Sequence, residues 1–160
     1  MLVLDEAVRM TYPRKSLISV KETPYYHCVG RCVRRGWLWG VDPYSGIDYS
    51  HRKEWFIDRL KELSDVFAID VCAYAVMSNH YHLALFVDVM SARHWSDEEV
   101  VRRWTTLFGT PTLVQRYLGV EPISRAEREA AQEIIAEWRA RLRDVSWYMR
   151  CLNEQLARRA

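Results

Sequence analysis

The chain has 160 residues, 49% of them apolar, which is enough for one domain with a real core. Its 23 Lys and Arg stand against 21 Asp and Glu, a formal charge of +2, so bulk charge does not argue for nucleic-acid binding and local clusters must carry that case. No run approaches the length of a bilayer span and no charged leader precedes a small-residue cleavage site, so a cytoplasmic protein without membrane contact is expected, its cysteines reduced.

In chain order, Thr23 to Arg34 reads as a strand with His27, Val29 and Arg31 on one face and Cys28, Gly30 and Cys32 on the other. The small residues point inward; His27 and Arg31 face out. Zinc at Cys28 and Cys32 is not expected, because C-x3-C lacks knuckle spacing and no second pair exists. Arg31, Arg34 and Arg35 form a compact basic cluster, readable as solvated surface or as phosphate contact. Residues Gly36 to Gly46 form a loop. From His51 to Ser64, Trp55, Phe56, Leu60 and Leu63 recur at helical spacing with charged residues between. Ile69 to Met77 reads as a second strand, Ser78-Asn79 as a two-residue turn, and His80 to Val89 as a third strand.

That third strand carries the chemistry. Tyr81, Leu83, Leu85 and Val87 make one apolar face, while His80, His82 and Ala84 share the other. Two neutral imidazoles side by side are half of a metal site, and a metal held there polarises a phosphoryl oxygen. Strand, helix, strand, strand with a hairpin predicts an α+β fold of ferredoxin-like type, an antiparallel sheet with helices on one face and a site on the uncovered one. His27 and Arg31 are candidates to share that face. His27 also reads as a hydrogen-bonded, half-buried histidine rather than a ligand.

Beyond Ser91 the chain is mixed, with a short helix from Ser96-Asp97-Glu98-Glu99 through Trp104. Ser124 and Glu127 then form an S-x-x-E capping box. Ile134, Ile135, Trp138 and Leu142 continue that helix, and Asp144 caps a further one bearing Trp147, Tyr148, Leu152 and Leu156. The last third is therefore helical and rich in arginine, including Arg139, Arg141, Arg143 and Arg150. Its basic character reads as a solvated face or as a grip on phosphates. The expected single domain spans 1–160, with a sheet core in 23–88 and a mainly helical part in 91–160. Seven tryptophans and nine tyrosines are read mostly as packing, with base stacking the functional option.

Tyr25-Tyr26-His27-Cys28-Val29-Gly30-Arg31-Cys32, followed by Ala73-Tyr74-Ala75-Val76-Met77-Ser78-Asn79-His80-Tyr81-His82-Leu83, resembles the REP-associated tyrosine transposases, a branch of the HUH single-strand nucleases. The likeness runs from about Thr23 to Asp88 and extends to Arg139–Ala160. It implies an HUH-type fold and a metal-dependent endonuclease active in DNA transposition and recombination. His80 and His82 would hold Mg²⁺ or Mn²⁺, and a helical tyrosine would attack a phosphodiester of single-stranded or hairpin DNA. Tyr148 is the tyrosine on the matching segment, although the family's register falls close to Leu156, so a packing role for Tyr148 stays open. Leu152 occupies the position four residues on, where the family carries a glutamine ligand, and Gln155 is the nearer match in chemistry. The resemblance also implies DNA contact by Arg31, Arg34, Arg35 and Arg150 and a homodimer; the Gly-, Arg- and aromatic-rich segment with which the family continues after the tyrosine helix is missing here after Ala160. Its alternative is a truncated, catalytically silent DNA-binding relic.

Overall fold

A computed structural model describes residues 22–31, 37, 39–120 and 122–159. Among them are three strands and six helices: β1 (Tyr25–Arg31), α1 (Arg52–Val66), β2 (Ile69–Val76), β3 (His80–Val87), α2 (Val89–His94), α3 (Asp97–Leu107), α4 (Thr112–Leu118), α5 (Arg125–Arg141) and α6 (Val145–Arg159). The fold is α+β, with its helices mostly C-terminal. Cys32, Arg34 and Arg35, expected on or just after the first strand, lie outside the described residues.

The period-two pattern of β3 sorts its side chains as expected. Tyr81, Leu83, Leu85 and Val87 are buried, while His80, His82, Ala84 and Phe86 take the opposite face. The two-residue turn before it is closed by the Met77 N–H, which donates to the His80 carbonyl at 2.8 Å. β3 lies between β1 and β2 and is antiparallel to both, so β1 and β2 run parallel with β3 inserted between them. This is a split β-α-β unit, the crossover being α1. An irregularity between Val71 and Ala73 leaves Cys72 without a partner on β3.

Helices cover the apolar side of the sheet. α1 presents Phe56, Leu60, Leu63 and Val66, an i, i+4, i+7 stripe. The Phe56 ring meets Tyr81 at 4.9 Å between centroids. α6 adds Tyr148, Met149 and Leu152, and its Asn153 Oδ1 accepts the Tyr81 hydroxyl at 2.5 Å. The capping signals also act where expected. Ser124 and Glu127 complete a capping box on α5, and Asp144 Oδ1 accepts from the Ser146 and Trp147 N–H groups at the start of α6. The Trp104 and Trp138 rings stack at 5.0 Å and join α3 to α5, so these aromatics serve packing. No helix among the described residues is long and apolar enough to cross a membrane.

Candidate functional site

β3 is the central strand, so His80 and His82, at its N-terminal end, lie on the sheet face that no described helix covers, between β1 and β2. Arg31 of β1 lies directly across from His80, and Val29 across from His82. His27 faces Ala84 and is therefore the diagonal neighbour of His82, within reach for a long side chain. The two rings stack, with centroids 5.1 Å apart and planes 11° from parallel. His27 Nε2 and His82 Nδ1 are 2.9 Å apart and share one proton, one nitrogen donating and the other accepting. His27 is thus an exposed, hydrogen-bonded histidine on the same face.

The proton on His80 is assigned by its neighbour. Its Nδ1 sits 2.7 Å from Asn79 Oδ1, and a carbonyl oxygen only accepts, so Nδ1 carries the hydrogen and Nε2 keeps its lone pair. Where His82 Nδ1 is the donor to His27, the Nε2 of His82 is likewise a lone-pair nitrogen. A second hydrogen bond that fixes the tautomer in this way is the usual support of a metal-ligating imidazole. The His80 and His82 rings lie 5.1 Å apart between centroids, at 73°. Among the described residues no group of three or more His, Cys, Asp or Glu is gathered to hold an ion. Two imidazoles are half of a metal site, and a divalent ion on them would take its other ligands from water and phosphate oxygens.

Two aromatic side chains extend this face. Tyr25 pairs with Phe86 across β1 and β3, the rings 5.1 Å apart, and Tyr25 is 62% exposed. A flat exposed ring on the same strand as Arg31, at its opposite end, suits stacking by an unpaired base. Sequence reasoning missed this pair, as it missed Asn79. The second had a signal, a carboxamide at a turn directly before a histidine; the first depends on strand register.

The other expected site residues are not brought to the histidines. Tyr148 is fully buried on the helix-covered side, edge-on to Phe67 at 5.4 Å. Burial pushes its phenol well above the ordinary tyrosine range, while the Ser64 hydroxyl and Arg59 pull more weakly the other way. Its spacing from Met149 and Leu152 is that of the apolar stripe of α6, and in this packing the sheet separates its hydroxyl from His80 and His82. Gln155 likewise lies on the helical side, in a cleft with Arg59 and Phe108. Arg150 is exposed on α6, its guanidinium 4.9 Å from the Trp147 ring centroid. Of the described arginines expected to meet DNA, Arg31 alone adjoins the histidines. His94 Nδ1 is tied to the Met90 carbonyl at 2.7 Å, and the His51 ring packs edge-on to Trp55.

No protein-family model, curated protein or solved structure matches this chain.

Proposed function

We propose that the chain acts on single-stranded or hairpin DNA at a divalent-metal site held by His80 and His82, as a metal-dependent endonuclease and transposase of REP-associated, HUH type. The observation that carries this reading is the open sheet face. Two imidazoles with Nδ1 engaged project from the central strand beside Arg31, with exposed Tyr25 and half-buried Phe86 further along. The split β-α-β order and the one-sided helical cover also suit the ferredoxin-like sheet of that nuclease type. Bound there, Mg²⁺ or Mn²⁺ would supply Lewis-acid polarisation of a phosphoryl oxygen. The protein's own groups divide the remaining work. Asn79 and His27 hold the two rings, Arg31 offsets phosphate charge, and Tyr25 and Phe86 offer a surface for bases.

A phenol is a poor nucleophile at neutral pH and needs a nearby cation to favour the phenolate. Tyr148, sealed in the core and pushed toward its neutral form, meets neither condition in this packing. That observation favours a second reading, a DNA-binding relic that keeps the metal face and has lost nicking.

The deciding experiment incubates the protein with Mn²⁺ and a pool of labelled single-stranded hairpin oligonucleotides and resolves the products on a denaturing gel. Nicked DNA or a covalent adduct, lost in His80→Ala and His82→Ala, supports the nuclease. Nicking that survives Tyr148→Phe removes that residue from the mechanism. DNA binding without cleavage supports the relic. No binding to any oligonucleotide at low salt overturns both readings.

A further inference from the structure

We infer that the cleft between α1, the C-terminal end of α3 and the last turns of α6 is a nucleotide-binding site, separate from the histidine face. It encloses about 550 Å³, within the range of small-molecule sites, and every residue lining it comes from the helical side. Three features of its wall point to one kind of ligand.

The first is a pair of unsatisfied atoms. Arg59 Nε and Gln155 Oε1 are both buried, and neither has a hydrogen-bond partner among the described residues. One is a donor and the other an acceptor. Native structures rarely leave such groups unpaired, and since both side chains line the cleft while these two atoms are closed to solvent, a small turn of each toward the cleft would present a donor beside an acceptor to a ligand edge. The second is unbalanced charge. Glu62 is taken by Arg59 at 2.7 Å and Glu154 by Arg158 at 2.5 Å, whereas no carboxylate among the described residues pairs with Arg159. That guanidinium lies 5.8 Å from the Trp55 ring centroid and keeps its N–H groups for an anion. The third is Phe108, a half-buried aromatic at the cleft wall that can back a flat ring.

A flat ring, a mixed donor–acceptor edge and an anionic group occur together in a nucleotide. The base would pair with Arg59 and Gln155 against Phe108, with its phosphate on Arg159. The same chemistry is offered by a free mononucleotide and by one unit of a single strand.

The test is a ¹H–¹⁵N NMR titration of the protein with 5′-deoxynucleoside monophosphates, with deoxyribose 5-phosphate and deoxynucleosides as part-ligands. The Arg59 Nε–H and Gln155 side-chain signals are expected to move with the monophosphates. Deoxyribose 5-phosphate should bind at least about tenfold more weakly, and Arg159→Ala should weaken the monophosphates about tenfold while sparing the nucleosides. Gln155→Met, which keeps the size of the side chain, should weaken monophosphates and nucleosides alike. Equal binding of the sugar phosphate, movement confined to Val29 and Ala84 on the sheet face, or no movement at all would overturn the inference. An oligodeoxythymidine that shifts the cleft at lower concentration than thymidine monophosphate assigns a strand as the source; equal affinities assign the free nucleotide. His80→Ala separates the two proposals. Nucleotide binding in the cleft is expected to persist in His80→Ala although nicking is lost; nicking that survives His80→Ala sinks only the metal reading, and nicking by the unaltered protein without cleft binding sinks only this one.

Discussion

At Gly30 an added Cβ would fall 2.2 Å from Cζ of the Tyr81 ring. The ring has no room to retreat, since Phe56 tilts against it at 4.9 Å and Asn153 holds its hydroxyl. Gly30→Ala is therefore expected to cost about 2–3 kcal/mol, read as a lower urea midpoint at unchanged slope. In a Tyr81→Leu background the same change should cost less than about 1 kcal/mol, and an undiminished cost would trace the strain elsewhere. Tyr148 gives a second residue-scale expectation. Its folded pKa is raised, so above the ordinary value of about 10 the unfolded chain loses a proton that the folded protein keeps. Stability then falls as pH rises, by about 1.4 kcal/mol per unit from this group alone. Tyr148→Phe should abolish that alkaline contribution in denaturation curves and change stability at pH 7 by no more than about 1 kcal/mol. A larger loss at pH 7 would mean that the hydroxyl is firmly bonded in the core.

Between elements, the carboxylate of Glu99 acts as a junction. It accepts from Arg102 at 2.7 Å and from Arg103 at 2.6 Å, and Arg103 continues to the Asp65 carbonyl at the end of α1 and lies over the Trp95 ring. The hydrogen bond from Arg102, reinforced by Arg103, holds the Glu99 carboxyl at about 2. A depressed folded value means that the stabilisation is present above the unfolded value near 4.5 and is lost as pH falls from there to about 2. Glu99→Gln should cost about 1–2 kcal/mol at neutral pH, allowing for solvent screening, and almost nothing near pH 2. Thermal unfolding of both proteins across that interval checks it. Elements with strong local signals are legible in the chain itself. β3 has its alternation, the hairpin its two-residue turn, α5 its capping box and α6 its Asp144 cap. The helices α2 and α4 are hidden because six and seven residues are too few to show a period, and in α2 the clue is only Asp88 accepting from the Ser91 N–H. The irregularity at Cys72 has no counterpart in the pattern of β2, where either register leaves small residues facing out.

For the whole molecule, the sheet divides the chemistry in two. His80 and His82 can be found from the chain because spacing along one strand fixes which side each ring takes. The hydrogen bond of His27 to His82 depends on the register of β1 on β3, and the placement of Tyr148 and Gln155 away from them depends on which face of the sheet α6 covers. Neither is a local property of the sequence. The same division separates the arginines. Arg31 stands across from His80 on the open face, whereas Arg150 lies on α6 with its guanidinium against Trp147. With a formal charge of only +2, binding of a short single strand must rest on a few local phosphate contacts, which salt titration counts. For an eight-nucleotide strand, Arg31→Ala should reduce the slope of log K against log salt by about 0.7, the value of one phosphate contact on single-stranded DNA. Arg150→Ala should leave that slope unchanged, because its guanidinium lies against Trp147 on α6 and not beside the histidines. An equal drop in both variants would mean that the strand wraps from the histidines around to the helical side.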